Sequence, residues 1–396
     1  MTLLTHRRAR MHAAALVVGL WGVTLVNFAT PGWRTLNGHV KGEDWAHFWA
    51  IGRAAARQDW RGLYDPDRLR SEFERAGPGV EAPTFIPVYG PQLALALAPF
   101  GALPYGVSLV LWWISGGLAY WLCCRAAWAR CPALGPPRDL LLFAAAYPGF
   151  WQLFIHGQTT WIALACVTVI WLALRERRPL AAGIAVGLLA YKPQLGIALV
   201  IVLIVRRSWA VLAIAAGTVA AQVVVCWLWF GPEVFPAYGR MLATLPQISP
   251  LLEPKVFQLV SLRGFFLLLG APSMWAHAGW LLAGAAVMTA VLRGMRQRSF
   301  DRSFALLLIA TVLVGGHVSV YDLVLLAPAF ILIAGENLDA AAAPPRWLWP
   351  VMYAAFLLAL TGPLAAITRV QLASPILIAL MVVVRGADLS GPPARA

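Results

Sequence analysis

The stretch VLAIAAGTVAAQVVVCWLWF, Val211 to Phe230, decides the fold class. It carries no charged residue, and at ~1.5 Å per residue a helix of about this length covers the ~30 Å hydrocarbon core of a bilayer. The apolar residues form a solid run instead of an alternation, which favours a helix over a barrel strand. Working outward, comparable runs lie at Ala13 to Phe28, Val107 to Trp121 and Met274 to Leu292. Over all 396 residues, 60% are apolar and 12% charged, a balance that a water-soluble globule cannot accommodate. The expected class is an all-α integral membrane protein.

The formal charge of +14 could point to nucleic acid. The arginines, however, fall in short clusters between apolar runs and not on one basic face, so no nucleic-acid partner is expected. Sorting of positive loops to the cytoplasm accounts for them: His6 to Arg10, the loops with Arg125, Arg130 and Arg138, with Arg175, Arg177 and Arg178, with Arg206 and Arg207, and with Arg293, Arg296, Arg298 and Arg302. The first apolar run follows basic residues, as in a secretory signal. No small-residue cleavage site follows in Val26 to Trp33, and we read the run as a retained anchor.

Threading these runs gives about twelve transmembrane helices with both termini inside. A single domain over residues 1–386 is expected, with an outer loop at 30–90 between the first two spans and a short cytoplasmic tail at 387–396. Between Pro31 and Tyr89 the chain holds eight of its seventeen acids and eight basic residues, the composition of a folded polar cap. Within it Trp45, Phe48, Trp49, Gly52 and Ala56 recur at helical spacing while Arg53, Arg57 and Asp59 take other faces, which predicts an amphipathic helix at the interface. Asp44 stands at its start, where a carboxylate suits a cap. Asp65, ahead of Pro66, reads as a turn former.

Further along, Ala181 to Ala190 and Leu195 to Val205 are too short to cross, and Lys192-Pro193-Gln194 interrupts them. Lys192 is therefore expected to be recessed, and a lysine at that depth costs roughly 2.5 to 3.5 kcal/mol unless it meets a cavity or an anion. Val256 to Gly270 carries Arg263 centrally and reads as a re-entrant or interfacial helix. In this threading the polar residues Asp44, His156, Gln158, Lys192, Gln194, Arg263, His317, Tyr321 and Asp322 all fall on the outer side. A carboxylate facing recessed cations and amides suits a reaction on a lipid phosphate that carries a polar group. For sugar transfer, Asp44 is placed to take a proton from the acceptor hydroxyl. Lys192, Arg263 and His317 are placed to stabilise the leaving phosphate.

Several motifs then carry a family resemblance: Asp44-Trp45-Ala46-His47-Phe48-Trp49, Gly62-Leu63-Tyr64-Asp65, Tyr89-Gly90-Pro91, Pro99-Phe100 with Leu103-Pro104, Gly157-Gln158, Ala182 to Gly187 leading to Lys192-Pro193-Gln194, and Gln258 to Gly264. Over most of its length the chain resembles glycosyltransferase family 87, the polyprenol-phosphate-mannose-dependent membrane enzymes of the C-type glycosyltransferase fold. The resemblance implies an inverting, metal-independent transfer of a hexose, typically mannose, from a polyprenyl-phosphate donor to a glycolipid or glycan acceptor on the outer face. It carries the family's presumed base onto Asp44; from the reading of the residues themselves, donor contacts are expected at Lys192, Gln194, Arg263, His317, His156, Gln158, Gln258 and Tyr321. Where the family often has Asn before Gln-Ser, this chain has Phe257-Gln258 with no serine directly following.

Five cysteines without a CxxC motif point to neither a disulfide nor a metal site, and the spacing of His39, Asp44 and His47 matches no standard metal site. No cofactor is expected. The partners are the donor, the acceptor and membrane lipids. Only three of the 31 basic residues are lysines, a bias that goes with a GC-rich bacterial genome and hence a bacterial plasma membrane. Two other classes remain: a transporter or flippase, against which no matched broken pair appears in the second half and the acids concentrate in an outer loop and not at mid-bilayer, and a non-catalytic protein that binds polyprenyl lipids.

Overall fold

The computed structural model describes residues 5–253, 255–295, 298–340 and 343–386. Arg296 and the expected tail at 387–396 lie outside the described residues. The described chain is helical, with only two isolated β-bridges, Arg34 to Val40 and Leu259 to Ser319.

Helix α1 (His6–Phe28) leads into a polar cap built from α2 (Trp45–Ala56), α3 (Trp60–Leu63) and α4 (Pro66–Ala76). The chain re-enters the bundle through α5 (Pro91–Gly101) and α6 (Tyr105–Trp128). Next come α7 (Pro137–Ala146) and α8 (Pro148–Ile155), split at Tyr147 because Pro148 cannot donate a helical hydrogen bond. Then follow α9 (Thr160–Arg175), α10 (Pro179–Leu188), α11 (Ile197–Val205) and α12 (Trp209–Phe230). The second half comprises α13 (Val234–Ala243), α14 (Leu245–Leu252), α15 (Leu262–Leu268), α16 (Ser273–Gly294), α17 (Phe300–Val314), α18 (Ala327–Asp339), α19 (Leu348–Phe356), α20 (Gly362–Thr368) and α21 (Ala373–Gly386).

Five helical segments are long and apolar enough to cross a membrane, and six if the bent pair α20 and α21 is one span. Their outward faces are apolar: Val18 is 75% exposed, Leu282 74% and Leu228 70%. Residues of this kind on an outer surface require hydrocarbon around them. The molecule is thus a helical membrane protein. Fewer than twelve segments meet the length test; the chain is broken at Tyr147-Pro148 and at Lys192-Pro193, whereas Val320–Asp339, which opens with a 3-10 turn, counts among the five. Two expectations are corrected. Val256 to Gly270 is not one helix, since a 3-10 turn at Val256–Gln258 gives way to the Leu259 bridge before the short α15 begins. The later half does contain a broken pair, α20 and α21, bent by 114°.

The cap helix α2 also differs from expectation. It is not an amphipathic helix lying on an interface: Trp45, Ala46, Trp49, Ala50 and Ala55 are fully buried, and most of the rest is close to it. The reason is a close crossing with α5. A Cβ on Gly52 would lie 2.5 Å from the Leu97 carbonyl oxygen, and one on Gly101 would lie 2.1 Å from the Arg53 backbone nitrogen. Only glycines let the two backbones approach so closely. Around the crossing, Trp45 stacks on Trp112 with centroids 4.3 Å apart, the Trp49 indole donates to Leu103 O at 3.0 Å, and Arg53 pairs with Glu72 at 2.5 Å. From the bundle side, the Trp229 indole donates to Ala55 O at 2.9 Å.

At the opposite end of the bundle, the arginine loops are tied to one another. Arg130 meets Glu176 at 3.4 Å, Arg175 meets Asp301, and Arg302 meets Glu336 at 2.9 Å. Substituting Gly101→Val should overpack the α2–α5 crossing at a cost of about 1–3 kcal/mol. It should lower the thermal unfolding midpoint of the detergent-purified protein, and an unchanged midpoint would show that the crossing is looser than described.

Candidate active site

The end of α8 sets the position of the first group. His156 is its C-cap, Gly157 takes φ +61°, and the N–H groups of Gly157 and Gln158 return to Phe154 O (3.1 Å) and Leu153 O (3.1 Å). This is a Schellman closure, which favours glycine at the left-handed position. A Cβ on Gly157 would also lie 2.7 Å from the Trp45 Cβ, so the turn sits directly against the start of α2. Two contacts result. Gln158 Nε2 donates to Asp44 Oδ2 at 2.7 Å, and His156 Nε2 faces Glu43 Oε2 at 3.3 Å while its Nδ1 donates to Gln152 O at 2.8 Å.

Asp44 occupies the N-cap position of α2, yet its side chain caps nothing. Asp59 and Asp65, by contrast, accept from the backbone N–H groups of α3 and α4. Nor is Asp44 neutralised by the nearby cations. Lys41 Nζ donates to Thr30 O and Gly32 O at 2.8 and 2.7 Å, and Arg53 is held by Glu72. Among the described residues Asp44 forms no ion pair. It is a half-buried carboxylate oriented by one amide.

The next two residues extend the site inward. Thr159 O accepts from the Tyr191 hydroxyl at 2.9 Å. Thr160 Oγ1 donates to Asp322 Oδ1 at 2.5 Å and accepts from Lys192 Nζ at 2.9 Å. Lys192 itself, 2% exposed, meets Asp322 Oδ1 at 2.8 Å and lies 5.1 Å from the centroid of the Tyr321 ring. The recessed lysine is therefore already balanced by a carboxylate. Asp322 is held in turn by the Ser319 N–H at 2.9 Å. Tyr89 marks the space between the two carboxylates: burial raises its hydroxyl pKa most, and the negative fields of Asp322 and Asp44 raise it further.

A third group is joined through the bridge between Leu259 and Ser319 and the Val260 N–H bond to Val318 O at 2.9 Å. Arg263 grips Glu253 with both terminal nitrogens, at 2.6 and 3.0 Å, and donates to Gly316 O at 3.2 Å. Its Nε lies 3.4 Å from His277 Nε2. His317 Nδ1 meets Glu253 Oε1 at 2.8 Å. Burial alone would raise the Glu253 pKa, but hydrogen bonds from His317 and Arg263 prevail and hold it at about 2.

Of the expected site residues, Asp44 and Gln158 meet, His156 and Lys192 both lie beside Tyr321, and Arg263 and His317 share Glu253. Gln194 and Gln258 are half-buried, and among the described residues neither side chain forms a hydrogen bond. Sequence reasoning passed over Glu253 and assigned Asp322 no role. Asp322 could have been found as the one acid inside the apolar run Val318 to Pro328; Glu253, in a proline-rich loop, gave no periodic signal. Among the described residues no cluster of three or more His, Cys, Asp or Glu side chains is arranged to hold a metal ion.

A helical membrane protein with carboxylates, amides and cations gathered beside a polar cap has the parts of a membrane-embedded transferase. The sequence model of glycosyltransferase family 87 matches residues 87–328, well over half of the chain, and the protein belongs to that family. The match covers Gln158, Lys192, Arg263, His317 and Asp322 and begins after α2, so Asp44 lies before it. No curated protein and no solved structure matches significantly.

Removing one partner of the buried pair, by Lys192→Met or Asp322→Leu, should cost about 3–5 kcal/mol, whereas the double variant should recover most of the loss. Thermal unfolding of the three purified variants checks this, and an additive double variant would contradict the pairing. For Glu253 the folded pKa lies below the ordinary 4.5. Its contribution to stability is therefore fully present above about pH 4.5 and fades as pH falls towards 2. The difference in unfolding midpoint between wild type and Glu253→Gln should close over that window and stay constant above it.

Proposed function

We propose that the protein is an inverting, metal-independent hexosyltransferase that moves mannose from a polyprenyl-phosphate donor to a hydroxyl of a glycolipid or glycan acceptor. In this reading the reaction takes place on the outer face of a bacterial plasma membrane, in a C-type glycosyltransferase fold of about twelve crossings with both termini inside. The observation that carries the proposal is the Asp44 carboxylate: neither capping its helix nor paired with a cation, it is oriented by Gln158 from the turn between α8 and α9. Asp44 takes the acceptor proton as the acceptor oxygen attacks the anomeric carbon. The bond from that carbon to the phosphate oxygen breaks, and the polyprenyl phosphate leaves with the electron pair.

The leaving charge requires positive groups. Arg263 and His317, gathered on Glu253, serve that role. Lys192, balanced by Asp322, supplies position and two fixed hydrogen-bond partners. His156, Gln194, Gln258 and Tyr321 complete the donor-facing set. A carrier-lipid transporter is the second reading, favoured by the two helix breaks, at Lys192-Pro193 and between α20 and α21.

Purified protein in nanodiscs, given radiolabelled polyprenyl-phosphate-mannose and a lipid extract, should glycosylate a lipid product. Asp44→Asn should lower transfer by about 10²–10⁴-fold with donor binding intact, and a chelator should leave the wild-type rate unchanged. Full activity of Asp44→Asn would remove that residue from the chemistry. Donor movement across a bilayer without any transfer would favour the transporter.

A further inference from the structure

Both terminal nitrogens of Arg263 face the Glu253 carboxylate, at 2.6 and 3.0 Å, and His317 Nδ1 meets the same carboxylate at 2.8 Å. The two cations assigned to the leaving phosphate thus converge on an anion that the chain itself supplies. A guanidinium fork takes a carboxylate or a phosphate through the same pair of parallel N–H bonds. The two anions therefore require the same face of Arg263. Glu253 is ionised at neutral pH, since its carboxyl is held at about 2.

The cations are fixed without help from Glu253. Arg263 lies in the first turn of α15, where a Cβ on Gly264 would come within 2.4 Å of Leu259 O. The bridge between Leu259 and Ser319 and the bond from Val260 N–H to Val318 O pin this turn to the segment that carries His317. Two bonds then aim the guanidinium: Nε donates to His277 Nε2 at 3.4 Å, and a terminal nitrogen donates to Gly316 O at 3.2 Å. His277 Nε2 is free to accept because its Nδ1 donates to Ser273 O at 2.6 Å. Glu253 has no comparable anchorage. It follows the end of α14, and among the described residues its carboxylate bonds only to Arg263 and His317. The cluster opens at His317, whose side chain is 40% exposed against 14% for Arg263 and 10% for Glu253.

We infer that Glu253 is an internal competitor of the donor phosphate: its carboxylate holds Arg263 and His317 until the phosphate takes them, and reclaims them as the carrier phosphate leaves. The inference rests on the phosphate-binding role given to Arg263 and His317 under the proposed function. Glu253 then sets the affinity for the carrier and keeps the product from being retained on a bare guanidinium.

The test measures binding of the methyl phosphodiester of a short-chain polyprenol, which carries no sugar, to the full-length protein in nanodiscs. Glu253→Gln should bind this probe about tenfold or more tightly than wild type, and Arg263→Gln should bind it about tenfold or more weakly. A carboxylate that merely orients Arg263 has the opposite sign, because its loss would weaken binding. In the wild-type protein, a water-soluble carbodiimide with an amine should modify Glu253 faster once the probe is saturating, since the two cations then no longer cover the carboxylate. Equal or weaker binding by Glu253→Gln, with Arg263→Gln impaired, would overturn the inference and leave the phosphate role of Arg263 standing. So would unchanged or slower modification of Glu253 in the wild type, whether or not the variants fold. Binding that Arg263→Gln does not alter, or no binding by any of the three proteins, would remove the phosphate role itself and the inference with it.

Discussion

A lone ammonium inside an apolar bundle must find a counter-charge, and much of the polar architecture here follows from how Lys192 meets that demand. Its partner, Asp322, comes from a distant part of the chain, and Thr160 bonds to both. Three elements are thereby pinned at one depth: the break between α10 and α11, the first residue of α9 and the 3-10 turn before α18. Because Thr160 is fixed, so are Thr159 and Gln158, and through Gln158 so is the carboxylate of Asp44. The lysine contributes less as a free charge than as the anchor of a chain of contacts that ends at the cap.

Breaking helices inside a membrane frees backbone groups that water cannot reach, and each must be satisfied from within the protein. Aromatic and amide side chains do this repeatedly. Indole N–H groups donate to Gly157 O from Trp112 (3.0 Å), to Leu103 O from Trp49 (3.0 Å) and to Val314 O from Trp280 (2.9 Å). The Tyr147 hydroxyl donates to Leu323 O at 2.5 Å, and Gln92 donates to Ala190 O at 3.4 Å. The interruptions that expose backbone near the polar groups are thus stabilised by large amphipathic side chains, which also exclude lipid from the spaces between helices.

Electrostatically the site separates its cations from its candidate base. Lys192 is matched by Asp322 and Arg263 by Glu253, whereas Asp44 has only an amide. The low pKa of Glu253, reached against the effect of its burial, records its hold on His317 and Arg263.

Much of this was legible in the residues. Solid apolar runs such as Val211 to Phe230 determined a helical membrane protein, since a spanning segment must satisfy its own backbone as a helix or join a closed barrel, and a barrel strand would alternate. The Lys192-Pro193 interruption, the polar cap and the family motifs were equally local in origin. Tertiary structure alone decided the rest. The burial of α2, written as an amphipathic face, depends on α5 crossing it at Gly52 and Gly101, and neither glycine announces its partner. The pairing of Lys192 with Asp322, and of Glu253 with Arg263 and His317, joins residues distant in the chain or placed in an irregular loop. Periodicity reports which face of a helix is greasy; it carries no information on which distant charge will neutralise another, because that is set by how the helices pack.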